Sequence, residues 1–490
     1  MDQLRLHGLL SRENRVNTNG SKSRRFLAGA GGLILLLLSA CAVKKPPSTT
    51  QTVNNALPPA TKIPEQWTAQ GTSAAPVETG WLKSFNDAQM EAIVAEALKN
   101  NLDLQAAATR VQVAANLVTE VHAQMMPMVG VVGAAQYLGR YNQKKSTGQR
   151  KGAFNASNLL GGVSWEVDLW AKIRSQVAAA KQGLAATELD YQWARMSLAA
   201  ATAKVWYLVT YTLMLQKYAE QNVAIDQQLL DVTVAQFQVG NAEQQQVDLA
   251  QAQLAQSQAQ LANVSNAHLQ VVRALEVLLG RYPAGEIQTA SALAALPPPV
   301  PAGLPVQLLE RRPDVAAAEH NFDAAFHLVQ SAKAAQLPSL ALTGAGGYLT
   351  NEIYQALAFR PWIWTVAGNL LAPIYTGGLL QARVKTADEN QKAALALYGQ
   401  TILQAFDDVE VTLTNERYLK DEAKDVQGAL NSIQDALALG RVKYDVGQTD
   451  LSPVLQLENV VLGTEMATTT IQYDLIANRI DLYLALGGTF

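Results

Sequence analysis

Two textures alternate along this 490-residue chain. One repeats apolar residues at helical spacing, over about 88–124 and again over 305–335, and each stretch stops at a proline, Pro127 or Pro338. The other is Gly-rich and alternates apolar with polar positions, as a half-buried strand does. Strands are expected at about 127–142 and 158–169, then at about 338–349 and 361–373. In the clearest, Val163, Trp165, Val167 and Leu169 alternate with Ser164, Glu166 and Asp168. A fainter version sets Trp362, Trp364 and Val366 against Ile363, Thr365 and Ala367. After each strand pair comes a helix with almost no Pro or Gly, about 171–239 and 381–446. Some 68 residues at helical rise span on the order of 100 Å, more than a compact domain uses. Each long helix ends in an aromatic, one residue, Val and Gly (Phe237 to Gly240, Tyr444 to Gly447), where Gly can take the positive φ of a C′ cap. The helices that return carry a seven-residue repeat: Val247, Leu254, Leu261, His268 and Leu275 in one, Val454, Val461, Thr468, Leu475 and Leu482 in the other. That period predicts antiparallel coiled-coil hairpins.

The elements occur twice because the chain repeats itself. A shift of 211 lays Leu98 on Leu309, Asp103 on Asp314 and Pro127 on Pro338, and a shift of 207 lays Gly240 on Gly447 and Gly280 on Gly487. The reading is two tandem helix-strand-strand-helix-helix units, 81–280 and 305–488, joined by a linker at 281–304.

Composition narrows the function. Charged residues make up 16% of the chain and the net charge is −3, so no basic stripe exists for nucleic acid. There is no P-loop, no GxGxxG and no HExxH, and five scattered histidines offer no metal-ligand spacing, so no enzyme and no bound cofactor is expected. Arg311, Arg312, Pro313 and Asp314 read as helix-start chemistry, His268 as a packed seam residue, and Met125, Met126 and Met128 as flexible packing. The single cysteine, Cys41, follows Leu38, Ser39 and Ala40 at the end of an apolar run that begins after Arg24 and Arg25. A basic region, an apolar stretch and small residues make a secretory signal over 1–40. The junction resembles the lipobox of bacterial lipoproteins, which implies acylation of Cys41 and, with Ala42 after it, sorting to the outer membrane. As an alternative, about 18 uncharged residues could anchor the chain uncleaved. Residues 41–80, rich in Pro, Thr, Ser and Ala, read as a tether.

Four strands cannot close a barrel, and open edges are not tolerated in lipid, so sister chains must complete the sheet. Trp165, Trp170, Trp362 and Trp364 suit the aromatic girdles of such a barrel. LLERRPDVAAA at Leu308–Ala318, WEVDLWAKIRSQVAAA at Trp165–Ala180, Gly377–Gly378 and the closing ALGG at Ala485–Gly488 resemble the TolC-like outer-membrane factors, in their OprM-type lipoprotein branch. The resemblance covers essentially everything after Cys41. It implies a mainly α fold with a membrane β-barrel part: a homotrimer whose twelve strands form one barrel above a long periplasmic α-barrel. It also implies a passive conduit for small molecules such as drugs, coupled to a periplasmic adaptor and an inner-membrane pump of the RND type. Protein secretion, metal efflux and, from another class, a periplasmic coiled-coil scaffold remain alternatives. By position, Val239, Gly240, Asn241, Val446, Gly447 and Gln448 match the family's adaptor-contacting turns. Relatives carry a gate carboxylate where this chain has Gln456, with Ser452 nearby, which leaves Asp450, Glu243 and Asp248 as the acidic candidates.

Overall fold

The computed structural model describes residues 43–69, 80–139, 153–350 and 362–489. In chain order these form α1 (Thr49–Ala56), a short 3-10 turn (Trp81–Phe85), α2 (Ala88–Asn100), α3 (Leu102–Ala123), β1 (Met128–Gly139), β2 (Ala153–Val167), α4 (Lys172–Gln238) and α5 (Gln244–Leu278). The second half repeats the series as α6 (Pro305–Arg311), α7 (Pro313–Ala334), β3 (Ser339–Thr350), β4 (Trp362–Leu371), α8 (Leu379–Asp445) and α9 (Leu451–Ala485). Matched helices have equal lengths: 22 residues in α3 and α7, 67 in α4 and α8, 35 in α5 and α9. Spatially the chain falls into two compact units, each drawn from both halves.

The first unit, around 122–176 and 330–384, holds a four-stranded antiparallel sheet in the order β1-β2-β3-β4. Its strands of 10 to 15 residues meet the roughly 9–11 that a tilted strand needs to cross a bilayer. The second unit is helical. Its core includes Trp206, Tyr207, Leu275, Leu279, Ile402, Ile480 and Leu482, and a smaller cluster welds α8 to α9 through Leu430, Leu437, Val454 and Val461. Among the described residues, α4 alone has a stretch apolar and long enough to cross a membrane, but half of that stretch is buried inside the protein. It is a core helix: Ala199, Ala200, Ala203, Trp206 and Tyr207 are all buried in the main apolar cluster.

Two expectations need correction. The first helix of each repeat is not continuous. Asn101 breaks the first copy by turning extended (φ −62°, ψ 126°) and capping the next helix, its Oδ1 accepting from the Leu104 N–H at 3.0 Å. Arg312 breaks the second (φ −78°, ψ 118°), because Pro313 pushes the residue before it out of the helical region. Nor is the described part of 41–80 a free tether. It forms α1, buries Val53, Leu57 and Trp67 in the helical core, and the Trp67 indole donates to the Ala302 carbonyl at 3.1 Å. Gly399 makes room for it, since a Cβ there would come within 2.4 Å of the Ala56 oxygen. Strand ends shift by a few residues, and the outer end of the first expected strand, 140–142, lies outside the described residues.

Candidate functional site

The sheet has two chemically distinct faces. Register places Val129, Val163, Gly344 and Val366 in one row across all four strands, and Val131, Gly161, Gly346 and Trp364 in another. Continuing on that face are Trp165 with Leu342, Val167 with Leu340 and Leu370, and Leu159 with Tyr348 and Trp362. Every described side chain on it is apolar or aromatic. The opposite face carries the polar residues Ser164, Glu166, Thr343, Thr365 and Asn369, with small residues and with Met128, Val132, Leu160, Ile363 and Leu371 between them. One face is wholly apolar, as contact with hydrocarbon requires, and the polar strand residues are confined to the other.

Tryptophans mark both ends of the strands, in different roles. The Trp362 ring meets Tyr348 edge-on at 5.3 Å and lies over Gly346, where a Cβ would approach it to 3.0 Å. Trp364 beside it is 74% exposed. At the helix junction the indole N–H of Trp165 donates to the Met125 carbonyl at 2.9 Å, and that of Trp170 to the Pro338 carbonyl at 2.7 Å. These carbonyls lie where helix gives way to strand, and the indoles supply their donors. Asp168 completes the junction: its carboxylate accepts from the Ile173 and Arg174 N–H groups at the start of α4 and from the Arg174 side chain at 3.1 Å. This tie allows Ala171 to hold φ 59°.

Both long helices stop in the same way. Gly240 (φ 79°) donates to Phe237 O and Asn241 to Gln236 O; Gly447 (φ 75°) donates to Tyr444 O and Gln448 to Lys443 O. This pair of bonds is a Schellman motif, built on the C′ glycine expected from the sequence. The return helices end identically at Gly280 and Gly487, but a Cβ there would press on the Asn100 and Arg311 carbonyls at 2.9 and 3.0 Å. At Gly240 and Gly447 it would meet nothing within 4 Å. Val239 and Val446 flank these open turns at 71% and 63% exposure. Asn241 and Gln448 are exposed too.

The gate candidates lie at the starts of the two return helices. Asp450 is an exposed N-cap of α9 with no side-chain bond to the helix. Ser452, two residues on, is half-buried, and Gln456 is exposed. Glu243 is the N-cap of α5, its N–H donating to Gln246 Oε1 at 2.9 Å, and Asp248 accepts from Gln244 at 2.8 Å.

A polar seam between α4 and α9 escaped the sequence reading. Lys204 pairs with Asp481 at 2.7 Å, the Tyr211 and Tyr218 hydroxyls meet those of Thr470 and Thr469 at 3.1 Å, and Asn459 donates to Asp226 at 3.0 Å. The seven-residue step from Lys204 to Tyr211 to Tyr218 was its signal. His268 is packed and bonded to Thr212 at 3.0 Å; burial lowers its pKa against a partly compensating backbone contact at Val209. Arg312 is buried between Asp314 and Asp408 and stacks over Trp193 at 4.7 Å. Its charge joins α7 to α8. Among the described residues no group of three His, Cys, Asp or Glu could hold a metal. Cys41 lies outside the described residues.

The comparisons agree with this geometry. The Pseudomonas putida pyoverdine export outer membrane protein OpmQ is 30% identical over 433 residues, which cover 86% of this chain and 90% of that one. The Escherichia coli cation efflux system protein CusC is 26% identical over 437 residues, 88% of this chain and 94% of that one. The crystal structure of the Campylobacter jejuni CmeC outer membrane channel superposes with a TM-score of 0.79 at 23% identity, covering 89% of this chain and 95% of that one. The family model described as outer membrane efflux protein matches residues 93–281 and 304–488, one match to each repeat. With a sheet apolar on one face, long capped helical hairpins and a family match to each repeat, this chain belongs to the outer membrane efflux protein family, passive channels of the TolC-like fold and not enzymes.

Proposed function

We propose that three copies of this chain, each held to the outer membrane by a lipid on Cys41, close one barrel and conduct small molecules outward. The two repeats, 81–280 and 305–488, supply equivalent parts of the wall. A periplasmic adaptor and an inner-membrane pump of the RND type load the duct. The observation that carries this reading is the sheet: one face apolar across four strands, with β1 and β4 left as open edges. Such edges are stable in lipid only when another strand pairs with them. Trp362 and Trp364 at one strand end, and Trp165 and Trp170 at the other, serve as the girdles.

The turns at Val239–Asn241 and Val446–Gln448 are the adaptor contacts. Their exposed valines and unobstructed glycines support this, since neither is needed to pack the fold. Asp450 is the leading gate residue, with Ser452, Gln456, Glu243 and Asp248 around it. A second reading of the cargo, soft metal cations, draws on the relative named for cation efflux and on the exposed thioethers of Met126 and Met128.

The test is purification of the full-length protein from membranes, cold and boiled gels, and conductance in planar bilayers. The expected result is a heat-dissociable trimer that forms stable pores. A monomer that never conducts would end the reading.

A further inference from the structure

We infer that β4 of one copy pairs with β1 of the next in a single defined register, in which the two residue numbers add to 503. The inference rests on the trimer reading and extends it to individual residues. Internal repetition supplies the argument. Met128 pairs with Ser164 in the first copy of the hairpin, and Ser339 with Leu371 in the second. So β1 maps onto β3 by 211 and β2 onto β4 by 207. Where β2 meets β3, one repeat meets the next inside the chain, and every pair there, from Ser157 with Thr350 to Val167 with Leu340, adds to 507. The same junction between copies replaces β2 by β4 and β3 by β1, adding 207 to one member and removing 211 from the other, which gives 503. Asn369 then faces Ala134 of the next copy, and Leu370 faces Gly133.

Two independent observations agree. A register can slip by two residues and keep its faces, but a slip by one turns every side chain over. The derived register puts Leu370 and Gly133 together on the apolar face and Asn369 and Ala134 together on the other, so the hydrocarbon face continues across the seam. Second, the residues brought together are those the single chain leaves uncovered. Ile374 and Val129 correspond to Val167 and Leu340, which are half-buried against each other's strands, yet Ile374 is 96% and Val129 74% exposed.

The seam is also less tied than its internal counterpart. Trp170, which donates to Pro338 across the β2–β3 junction, corresponds to Gly377, so the carbonyl of Pro127 in the next copy receives no indole there.

Engineered cysteines test the register directly, because a disulfide needs Cα atoms about 4.4–6.8 Å apart, whereas diagonal neighbours two residues off lie at about 7–8 Å. The in-register pairs are Asn369→Cys with Ala134→Cys and Leu370→Cys with Gly133→Cys, one of each ladder type. Controls join Asn369→Cys to Val132→Cys or Gln136→Cys, with each single variant alongside to account for Cys41. Membranes are oxidised and run boiled without reductant, while cold gels report the trimer separately. At least one in-register pair is expected to give covalent trimer at ten times the yield of both controls. Equal or greater cross-linking of a control, or a cold-gel trimer that no in-register pair can lock, overturns the register. Absence of a cold-gel trimer for the unmodified protein overturns the trimer reading itself.

Discussion

The guanidinium of Arg479 is completely buried, and it determines how the inter-repeat linker is held. It grips Glu416 through two bonds, Nε to Oε2 at 3.0 Å and Nη2 to Oε1 at 2.7 Å, and donates through Nη1 to the carbonyls of Pro297 and Pro298. Glu416→Gln keeps the shape and one acceptor but leaves the cation without its counter-charge. Removing one member of a buried pair costs about 3–5 kcal/mol, and the residual 12% exposure of Glu416 favours the lower end. About 3 kcal/mol corresponds to a fall in Tm of about 6 °C for a unit this large. Burial alone would raise the Glu416 carboxyl, but hydrogen bonds from Arg479 and Lys420 and their charges outweigh it and hold the group below the ordinary carboxylate range. A depressed pKa stabilises above the unfolded value of 4.5 and loses that contribution as pH falls through the folded one. The deficit of the variant is therefore expected in full at pH 7 and should shrink below about pH 4. Far-ultraviolet circular dichroism melting in detergent at both pH values measures it. A loss under 2 °C at pH 7, or one that grows on acidification, would refute the assignment. Replacing the pair together, Glu416→Leu with Arg479→Met, should be milder than Glu416→Gln, because no buried charge is left unpaired and Lys420, 44% exposed, stays in reach of water.

Local geometry sets the other expected outcomes. Cys41→Ser should abolish acylation, read by mass spectrometry, yet leave trimer in the membrane because the barrel also holds it there. Burial, reinforced by the like charge of Glu319, pushes the Asp323 carboxyl up to about 6, so its ionisation opposes folding once pH rises from about 4 through 6. Asp323→Asn should accordingly raise the melting temperature at pH 7.5 and change it little at pH 4. Gly487→Ala must both adopt a left-handed φ, at about 1–2 kcal/mol, and push against the Arg311 carbonyl, whereas Gly447→Ala meets only the first cost. The first variant should melt lower than the second. Val239→Asp with Val446→Asp should leave trimer yield and melting unchanged but reduce drug export severalfold in cells that supply the pump and adaptor.

What the sequence revealed was governed by period and by backbone chemistry. Helix stops at Gly240 and Gly447 were readable because only a C′ glycine serves that turn, and the strand faces were readable because Val163, Trp165 and Val167 keep a period of two. The break at Asn101 was not, because Asn also occurs inside helices and caps only where the chain turns extended before it. Pro313 did signal the matching break, and the expected run over 305–335 passed through it. The ordered segment at α1 was hidden for another reason. Its apolar residues, Val53, Leu57 and Trp67, are too sparse to form a periodic stripe, and what fixes them is a site on other elements, including Gly399 and the Ala302 carbonyl. Arg479 and Glu416 are 63 residues apart and look like ordinary surface charges in the sequence. Their pairing exists only once α8 and α9 pack together.

The two repeats are equal in backbone and unequal in side chains, and the inequality falls where one unit must serve two kinds of neighbour. Equal helix lengths and four matching glycine stops let either repeat occupy the same place in the wall. At the first strand-to-helix junction Trp165, Asp168 and Trp170 supply donors and acceptors to the backbone around them. The equivalent positions in the second repeat are Ala372, Tyr375 and Gly377, with Tyr375 exposed to solvent in the single chain. The junction between repeats inside one chain forms once, during folding, and can be fixed by a half-buried indole, that of Trp170 on the Pro338 carbonyl. A junction between chains must form on encounter, so its groups have to stay soluble beforehand. Small residues with one large exposed aromatic meet that demand at lower desolvation cost than a pair of tryptophans waiting for a partner.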